Sequence, residues 1–359
     1  MSLALRLAEQ GLYTTQPNPR VGCVIVKNIQ IIGQGAHLKA GEPHAEVYAL
    51  REAGELAKDA VAYVTLEPCN HHGRTPPCVD ALIAAGIKRV VVAMQDPNPL
   101  VAGNGLKRLQ AHGITVEVGL MEAESRALNL GFVARMTTGL PYVRCKVAAS
   151  LDGRTALSNG KSLWITGESA RLDVQHWRAQ SCAVVTGIGT VLIDNPSLNV
   201  RLENASRQPL RVIVDSQLQT PVNCKMLNPE LLAASPVLIA YAQDANQKAP
   251  FLIAAGAELL QTPSDHGRVD LQFLLAALAK RGVNEVLLEA GQGLNGGFLA
   301  AGLIDEFIFY YAPKLMGSDA NAMFAIPPLF EMQQATALQI LDVRQIGPDL
   351  RLRAKPVRD

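Results

Sequence analysis

The stretch GEPHAEVYAL (residues 41–50), followed by YVTLEPCNHHGRTPPC (residues 63–78), decides how the first half of the chain is organised. The apolar periodicity predicts a helix at His44–Ala53, a strand at Ala62–Leu66 and a helix at Pro77–Ala85. One histidine and two cysteines therefore fall at neighbouring ends of these elements. Side chains in such positions can converge on a single ion.

The three residues form a ligand set that suits zinc. His44, Cys69 and Cys78 would supply three protein ligands and leave a fourth position open for water, as in catalytic zinc sites. Bound zinc lowers the pKa of water from roughly 15.7 to about 7. Zinc deaminases carry H-x-E followed by P-C-x-x-C, with the Glu as general acid and base, which is the role we predict for Glu46. The alternative is a structural zinc site, which normally has four protein ligands.

The spacing of the cysteines departs from that signature. Eight residues, NHHGRTPP, separate Cys69 from Cys78. This insertion brings His71, His72 and Arg74 near the open position. We therefore predict a substrate that is larger or more anionic than a free base.

Both halves of the chain alternate predicted strands with helices, which indicates α/β architecture. A polar stretch at Thr137–Pro141 separates them, and we predict domains at residues 1–139 and 140–359. The remaining elements of the first half are strands at Val21–Val26, Ile31–Ala36, Arg89–Ala93 and Thr115–Val118, and helices at Gly105–His112 and Glu122–Met136. Strands of the second half are predicted at Tyr142–Ala148, Ala183–Thr186, Arg211–Asp215, Val237–Tyr241, Glu285–Glu289 and Glu306–Ala312.

The composition restricts the class of protein. The 359 residues include 33 basic and 32 acidic side chains, so the chain lacks the basic excess typical of nucleic-acid binding. No apolar run reaches the ~18 residues of a membrane span, and residues 1–12 resemble an amphipathic helix more than a signal peptide. We expect a cytoplasmic protein that binds neither nucleic acid nor membrane. Its six cysteines would be metal ligands or reduced core residues, the latter being Cys23, Cys145, Cys182 and Cys224.

A glycine-rich sequence in the second half points to a dinucleotide. Gly291-Gln-Gly293-Leu-Asn-Gly296 follows an apolar strand and opens a helical pattern, so its backbone amides could approach a pyrophosphate. No acidic residue stands about 20 positions further on to bind a ribose hydroxyl. This argues against an ordinary NAD-binding Rossmann domain.

The motifs together resemble one family. In the first half these are PNPRVGCVIV, GEPHAEVYAL, YVTLEPCNHHGRTPPC and MQDPNPLVAGNG, and in the second KVAASLDGRTA, SLWIT, GIGTVLIDNPSLNVR, VIVDS, LLEAGQGLNGGFL and YYAPKLMG. They are similar to the RibD family, the bifunctional deaminase–reductases of riboflavin biosynthesis. The resemblance implies a cytidine-deaminase-like three-layer domain followed by a dihydrofolate-reductase-like α/β domain.

The resemblance also implies two reactions. The first domain, with one zinc ion per chain, would hydrolytically deaminate 2,5-diamino-6-ribosylamino-4(3H)-pyrimidinone 5′-phosphate. The second would use NADPH to reduce the ribosyl group of 5-amino-6-(5-phosphoribosylamino)uracil to ribityl. The partners would be these small phosphorylated pyrimidines, with a homo-oligomer as a further expectation.

Matching positions carry over residue by residue. The resemblance implies substrate contacts at Asn18, His37 and Arg74 in the deaminase half, and at Ser162, Arg178, Leu198, Arg201 and Glu289 in the reductase half. It implies cofactor contacts at Ala148, Trp164, Thr190, Asp194, Ser216, Gly291, Gln292, Gly293, Leu294, Asn295, Gly296 and Gly297. Two arginines can clamp a phosphate bidentately. The proton donor of the reduction is left open among Lys146, Asp194 and Glu289.

Less specific roles remain possible for several of these residues. Asn18 could stabilise a turn between two prolines, Arg74 could be a solvated loop charge, Trp164 a core residue and Asp194 a turn residue. Two rival functions are also open. One is a nucleoside or tRNA deaminase fused to an unrelated domain, and the other is a non-catalytic binding module stabilised by zinc.

Overall fold

The structure is a computed structural model that describes residues 1–70, 77–99, 101–162 and 164–358. The chain divides into two compact units, Met1–Leu140 and Pro141–Asp359. Within the described residues, no helix is both long enough and apolar enough to cross a membrane. Each unit has its own sheet and its own apolar core.

A five-stranded sheet of order β2-β1-β3-β4-β5 forms the centre of the first unit. Its strands are β1 (Gly22–Lys27), β2 (Gln30–Ala36), β3 (Val61–Leu66), β4 (Arg89–Met94) and β5 (Thr115–Val118). The pairs β1–β2 and β1–β3 are antiparallel, whereas β3, β4 and β5 run parallel. Because β3 and β4 are buried and parallel, their carboxyl ends lie at one edge of the sheet, where Cys69 follows β3.

The helices of the first unit are α1 (Ser2–Ala8), α2 (Ala45–Ala53), α3 (Cys78–Ala84), α4 (Asn104–Ala111), α5 (Glu122–Leu128) and α6 (Leu130–Thr138). Helix α2 lies unusually close to the sheet. A β-carbon on Gly33 would stand 2.1 Å from the carbonyl oxygen of Ala49, and one on Gly35 would stand 2.3 Å from that of Ala45. Glycine at both positions therefore allows the backbone contact that fixes the start of α2.

One sequence prediction needs correction here. The helix predicted as continuous from Glu122 to Met136 is two helices, broken at Asn129. The Asn129 side chain is buried, accepts a hydrogen bond from the backbone N–H of Arg20 (2.8 Å) and donates one to the Arg20 carbonyl (3.0 Å). These bonds hold Asn129 at φ −120°, outside the helical region, so the two segments cannot merge.

A nine-stranded sheet of order β11-β10-β9-β8-β14-β6-β15-β18-β17 forms the second unit. Its strands are β6 (Tyr142–Ser150), β8 (Ala183–Gly187), β9 (Leu210–Val214), β10 (Val237–Tyr241), β11 (Glu258–Gln261), β14 (Glu285–Leu288), β15 (Glu306–Ala312), β17 (Leu338–Ile346) and β18 (Asp349–Pro356). Two small sheets pair β7 (Arg154–Ala156) with β16 (Asn321–Ala322), and β12 (Ser264–Asp265) with β13 (Arg268–Val269). The antiparallel hairpin β17–β18 is absent from the sequence prediction.

The helices of this unit are α7 (Glu168–Gln180), α8 (Ile188–Asp194), α9 (Pro229–Ala234), α10 (Ala249–Ala254), α11 (Leu271–Lys280) and α12 (Gln292–Ala300). The strands from β11 across to β15 are parallel, and the inner ones are buried along their length. A cleft at the carboxyl ends of such strands is the usual ligand site of an open α/β sheet. The α/β fold class predicted for both halves is confirmed.

Candidate active sites

The first unit brings the three predicted metal ligands together. The ligand atoms of His44, Cys69 and Cys78 all lie within 4.8 Å of one another. Nδ1 of His44 is 3.2 Å from Sγ of Cys78 and 3.5 Å from Sγ of Cys69. One imidazole nitrogen and two sulfurs at these separations form a compact donor set with room for one ion between them.

Three neighbouring element ends hold these residues. His44 is the residue that caps the start of α2, Cys69 follows β3, and Cys78 is the first residue of α3. The backbone N–H of Cys78 donates a hydrogen bond to Sγ of Cys69, at 3.3 Å. The start of a helix carries partial positive charge, and this favours the thiolate form of a nearby cysteine.

The electrostatics of the cluster suit a cation. A hydrogen bond with the Cys78 side chain is the largest of the effects that lower the pKa of Cys69, and this favours the thiolate form of its sulfur. The hydrogen bond with Cys69 is in turn the main cause that raises the pKa of His44. Thiolate and imidazole ligands in one small cluster fit Zn²⁺, which prefers sulfur and nitrogen donors.

Glu46 lies one residue into α2, on the buried side of the cluster. Its side chain is 3% exposed, and Oε2 has no hydrogen-bond partner among the described residues. Burial is the main cause that raises the pKa of this carboxyl. A buried oxygen without a partner costs free energy. Glu46 therefore has the burial and the raised pKa that suit a general acid–base residue.

Asn18 and His37 form a second polar feature of the first unit. Nδ1 of His37 lies 3.2 Å from the carbonyl oxygen of Pro43, and Nε2 lies 3.1 Å from Nδ2 of Asn18. A carbonyl can only accept, so Nδ1 carries the hydrogen and Nε2 accepts from Asn18. His37 is 2% exposed, and burial is the main cause that lowers its pKa. Both ring nitrogens are engaged, which favours a positioning role over the predicted contact with substrate.

Three of the expected side chains cannot be placed. His71, His72 and Arg74 belong to residues 71–76, which lie outside the described residues. The predicted effect of the insertion on the pocket wall therefore stays a prediction.

The second unit contains a large cleft of about 1240 Å³ at the carboxyl ends of its parallel strands. Its described lining includes six basic residues and three acidic ones, whereas the whole chain has a net charge of only +1. The basic residues are Lys146, Arg171, Arg178, Arg201, Lys225 and Arg268. This concentration of positive charge suits phosphorylated ligands.

A buried ion cluster lies in this cleft. Nε of Arg178 is 2.5 Å from Oε1 of Glu289, its Nη2 is 3.0 Å from Oε2, and Nζ of Lys146 is 3.7 Å from Oε2. Burial by itself would raise the pKa of Glu289, but the two cations outweigh it and hold that pKa at about 2. Burial lowers the pKa of Lys146.

Most of the predicted reductase contacts line this cleft. They are Ala148, Ser162, Trp164, Arg178, Thr190, Asp194, Leu198, Arg201, Ser216, Glu289, Gly291, Gln292, Gly293, Leu294 and Gly297. Gly291 is the residue before α12, and a β-carbon on Gly293 would meet nothing within 4 Å. The backbone around the start of α12 is thus open to a ligand, as a pyrophosphate cradle requires.

Two residues of the glycine-rich motif, both within α12, do not line the cleft. Asn295 is 1% exposed and donates hydrogen bonds to the carbonyls of Ala290 (3.1 Å) and Met323 (3.3 Å). A β-carbon on Gly296 would stand 2.0 Å from the carbonyl oxygen of Ala325. Both residues therefore hold the first part of α12 in place, and they lie outside the lining of the cleft, so their predicted cofactor contact stays a prediction.

Trp164 is not a core residue, so that alternative is wrong. Its side chain is 64% exposed at the cleft, and the Arg171 guanidinium lies 4.6 Å from the ring centroid. Asp194 ends α8 and accepts a hydrogen bond from Ser162 at 3.3 Å.

The sequence analysis did not predict Arg171, Lys225 and Arg268 as cleft residues. Isolated basic residues give no signal in the sequence until the fold brings them to one cleft.

Both halves of the chain match known protein families. The family model described as the cytidine and deoxycytidylate deaminase zinc-binding region matches residues 1–94, and that of the RibD C-terminal domain matches residues 141–352. The riboflavin biosynthesis protein RibD of Escherichia coli is 50% identical over 98% of this chain and 96% of its own length. The chain belongs to the RibD family. The RibD protein of Haemophilus influenzae is 46% identical, with coverage of 99% and 96%.

Solved structures of the family agree over the full length. A crystal form of Acinetobacter baumannii RibD has a TM-score of 0.91 and 51% identity, covering 99% of this chain and 98% of its own. A Thermotoga maritima diaminohydroxyphosphoribosylaminopyrimidine deaminase/5-amino-6-(5-phosphoribosylamino)uracil reductase has a TM-score of 0.88 and 33% identity, covering 99% and 97%. As a RibD family member the chain is a bifunctional deaminase and reductase of riboflavin biosynthesis that uses zinc and a nicotinamide cofactor. The rival functions with an unrelated second domain or without catalysis are wrong.

Proposed function

We propose that the first domain deaminates 2,5-diamino-6-ribosylamino-4(3H)-pyrimidinone 5′-phosphate and that the second reduces 5-amino-6-(5-phosphoribosylamino)uracil with NADPH. The observation that carries the proposal is the cluster of His44, Cys69 and Cys78 beside a buried carboxylate oxygen of Glu46 that has no hydrogen-bond partner in the described part of the chain. The Thermotoga relative, whose name states this pair of substrates, supports their choice.

In the deaminase site, His44, Cys69 and Cys78 would hold one zinc ion per chain. Bound zinc supplies a Lewis acid that makes water nucleophilic at neutral pH. Glu46 accepts a proton from the attacking water and delivers a proton to the leaving nitrogen. The water oxygen replaces the ring amino group and ammonia departs, so atoms and charge balance. The raised pKa of Glu46 suits a group that must both take and give a proton.

In the reductase cleft, the backbone at Gly291 and Gly293 would receive the cofactor pyrophosphate at the start of α12. NADPH, when bound, supplies the hydride for C1′ of the ribosyl group. The bond between C1′ and the ring oxygen breaks, and a proton must reach that oxygen. The basic side chains of the cleft would hold the phosphates of cofactor and substrate, with Arg201 as the predicted substrate clamp.

We assign the proton donation to Lys146, one of the three candidates that the sequence leaves open. Glu289 is ionised at neutral pH, because its pKa is about 2, so it has no proton to give. Lys146 keeps three N–H donors, is 18% exposed in the cleft, and has its pKa lowered by burial. Such a lysine releases a proton more readily than a solvated one. Glu289 then holds Lys146 in place through their 3.7 Å contact.

We further propose domain limits of residues 1–139 and 140–359, close to the division of the chain into compact units. The cytoplasmic location and the homo-oligomer stay predictions. Large apolar side chains on and before β17 support self-association, since Phe330, Met332, Ile340 and Val343 are 87%, 85%, 59% and 55% exposed.

The test is incubation of the full chain with the diaminopyrimidinone phosphate, with and without NADPH, followed by mass spectrometry. Without NADPH we expect ammonia and the deaminated pyrimidinedione. With NADPH we expect the product that carries two additional hydrogen atoms. An unchanged substrate with zinc-loaded protein would refute the assigned deaminase substrate, and accumulation of pyrimidinedione despite NADPH would refute the assigned reduction. NADH in place of NADPH tests the cofactor choice.

A further inference from the structure

Glu67 is a buried carboxylate that the proposed chemistry does not use. It lies between the end of β3 and Cys69 and is 3% exposed. Its two oxygens accept four backbone N–H groups, with Oε2 bonded to Asp96 (3.1 Å) and Gly103 (2.9 Å) and Oε1 to Gly105 (2.9 Å) and Leu106 (3.4 Å). All four donors come from one segment, within the motif MQDPNPLVAGNG and the residue after it.

Three of these donors lie at the start of α4. Gly103 precedes the helix, and Gly105 and Leu106 lie in its first turn. A carboxylate at this position satisfies amides that have no partner inside the helix, and it meets the positive end of the helix dipole. Glu67 therefore fastens the start of α4 to the segment that carries Cys69.

The contact between the two segments is close. A β-carbon on Gly105 would stand 2.4 Å from the carbonyl oxygen of Pro68, the residue before Cys69. The absence of a side chain at Gly105 lets the α4 backbone lie directly against the peptide that leads into the ligand. Any movement of the α4 start would therefore be transmitted to Cys69.

A second contact lies one turn further along α4. Nη1 of Arg108 donates to Oδ1 of Asn70 at 2.7 Å, and Nη2 pairs with Asp80. Asn70 follows Cys69, and Asp80 lies in the first turn of α3, two residues after Cys78. Helix α4 thus contacts the chain on both sides of one sulfur ligand and also contacts the helix that begins with the other.

We infer that Glu67 is a positioning residue of the metal site, which holds Cys69 at its ligating distance from His44 and Cys78 by anchoring the start of α4. The inference rests on the zinc site of the proposed function. Residues that orient metal ligands without touching the ion affect metal affinity by about 10–100-fold. Glu67→Gln keeps the size of the side chain but turns an NH₂ group toward two of the N–H donors, which would push the α4 start away.

The experiment measures binding of zinc alone to the full chain by competition with a chromophoric chelator. We expect Glu67→Gln to weaken zinc binding by about 10–100-fold. The exposed Glu55→Gln is the matched control and should bind as the parent does. Cobalt substitution gives a spectroscopic check, because the thiolate-to-cobalt absorption reports how both sulfurs meet the ion. A folded Glu67→Gln chain with parental zinc affinity and cobalt spectrum would overturn the inference.

A second variant covers the case in which Glu67→Gln does not fold. Arg108 is 38% exposed, so Arg108→Gln removes the contacts of α4 with Asn70 and Asp80 from the solvent side. We expect weaker zinc binding and an altered cobalt spectrum from this variant, and parental values would overturn the role of α4. If the parent chain itself fails to bind zinc, the proposed zinc site is wrong, which is a different result from parental binding by the variants.

Discussion

The substitution Glu46→Gln tests the proton-transfer role with little disturbance of the fold. Oε2 of Glu46 has no hydrogen-bond partner among the described residues, so an amide group there breaks no bond at that atom. The side chain keeps its size within a site where it is 3% exposed. We therefore expect the folded structure and the zinc content to stay at parental levels.

The expected loss is confined to deamination. A positioned general acid–base group contributes about 10²–10⁴-fold to rate, which corresponds to about 2.7–5.4 kcal/mol of transition-state stabilisation at 1.36 kcal/mol per tenfold. Glutamine cannot accept and return the proton, so kcat for ammonia release should fall by this factor. The fall should appear in kcat more than in KM, because the proton moves only in the transition state.

The assay follows ammonia release from the diaminopyrimidinone phosphate with zinc-loaded protein, and zinc is quantified in the same sample. Reduction of separately supplied 5-amino-6-(5-phosphoribosylamino)uracil is the internal control, since that chemistry belongs to the other unit. If Glu46→Gln retains full zinc and releases ammonia at the parental rate, the assignment of Glu46 is wrong. If the rate of reduction falls by the same factor, the substitution has damaged the whole protein, and the slower deamination does not report on the proton transfer.

Three further predictions concern the second unit. The reductase kcat should fall as pH rises through the lowered pKa of Lys146, because this amine loses its proton at a lower pH than a solvated lysine does. Lys146→Arg should shift this decrease in the pH profile to higher pH. An unshifted decrease would contradict the assignment of Lys146. Arg144→Met leaves the buried carboxylates of Glu285 and Glu306 without their shared cation and should lower the free energy of unfolding of the unit by about 3–5 kcal/mol. Urea unfolding measures this, followed by the fluorescence of the two tryptophans, which both lie in this unit. A decrease below about 1 kcal/mol would show that the ion pairs of Arg144 are not maintained. Gly296→Ala should lower the melting temperature of the same unit, because the new β-carbon would stand 2.0 Å from a backbone carbonyl, and an unchanged melting temperature would mean that the neighbouring loop moves freely.

The metal cluster could be predicted from the sequence because its signals are local. His44 and Cys78 lie at the starts of helices and Cys69 follows a strand, and each of these positions follows from short-range periodicity. The break at Asn129 could not be predicted, because its cause is a pair of bonds to Arg20, which is 109 residues away in the chain.

Residues that act through contacts between distant segments of the chain could not be predicted either. The glycine motif around α12 correctly indicated an open helix start, but it could not separate Gly293, which borders the cleft, from Gly296, which packs on another loop. Glu67 likewise looks like an ordinary acidic residue beside a proline. Its role becomes visible only when β3 and α4 meet.

The hydrogen-bond chain from Pro43 through His37 to Asn18 has a consequence for molecular recognition. Because the Pro43 carbonyl fixes where the imidazole hydrogen sits, it also fixes which way the Asn18 amide is turned. An amide NH₂ group carries two hydrogens, and Asn18 directs one of them to the ring, so its oxygen is turned away from His37. A ligand group that met this oxygen would have to donate a hydrogen, because a lone pair at that point would be repelled. One backbone carbonyl thus fixes the orientation of an amide that lies two hydrogen bonds away.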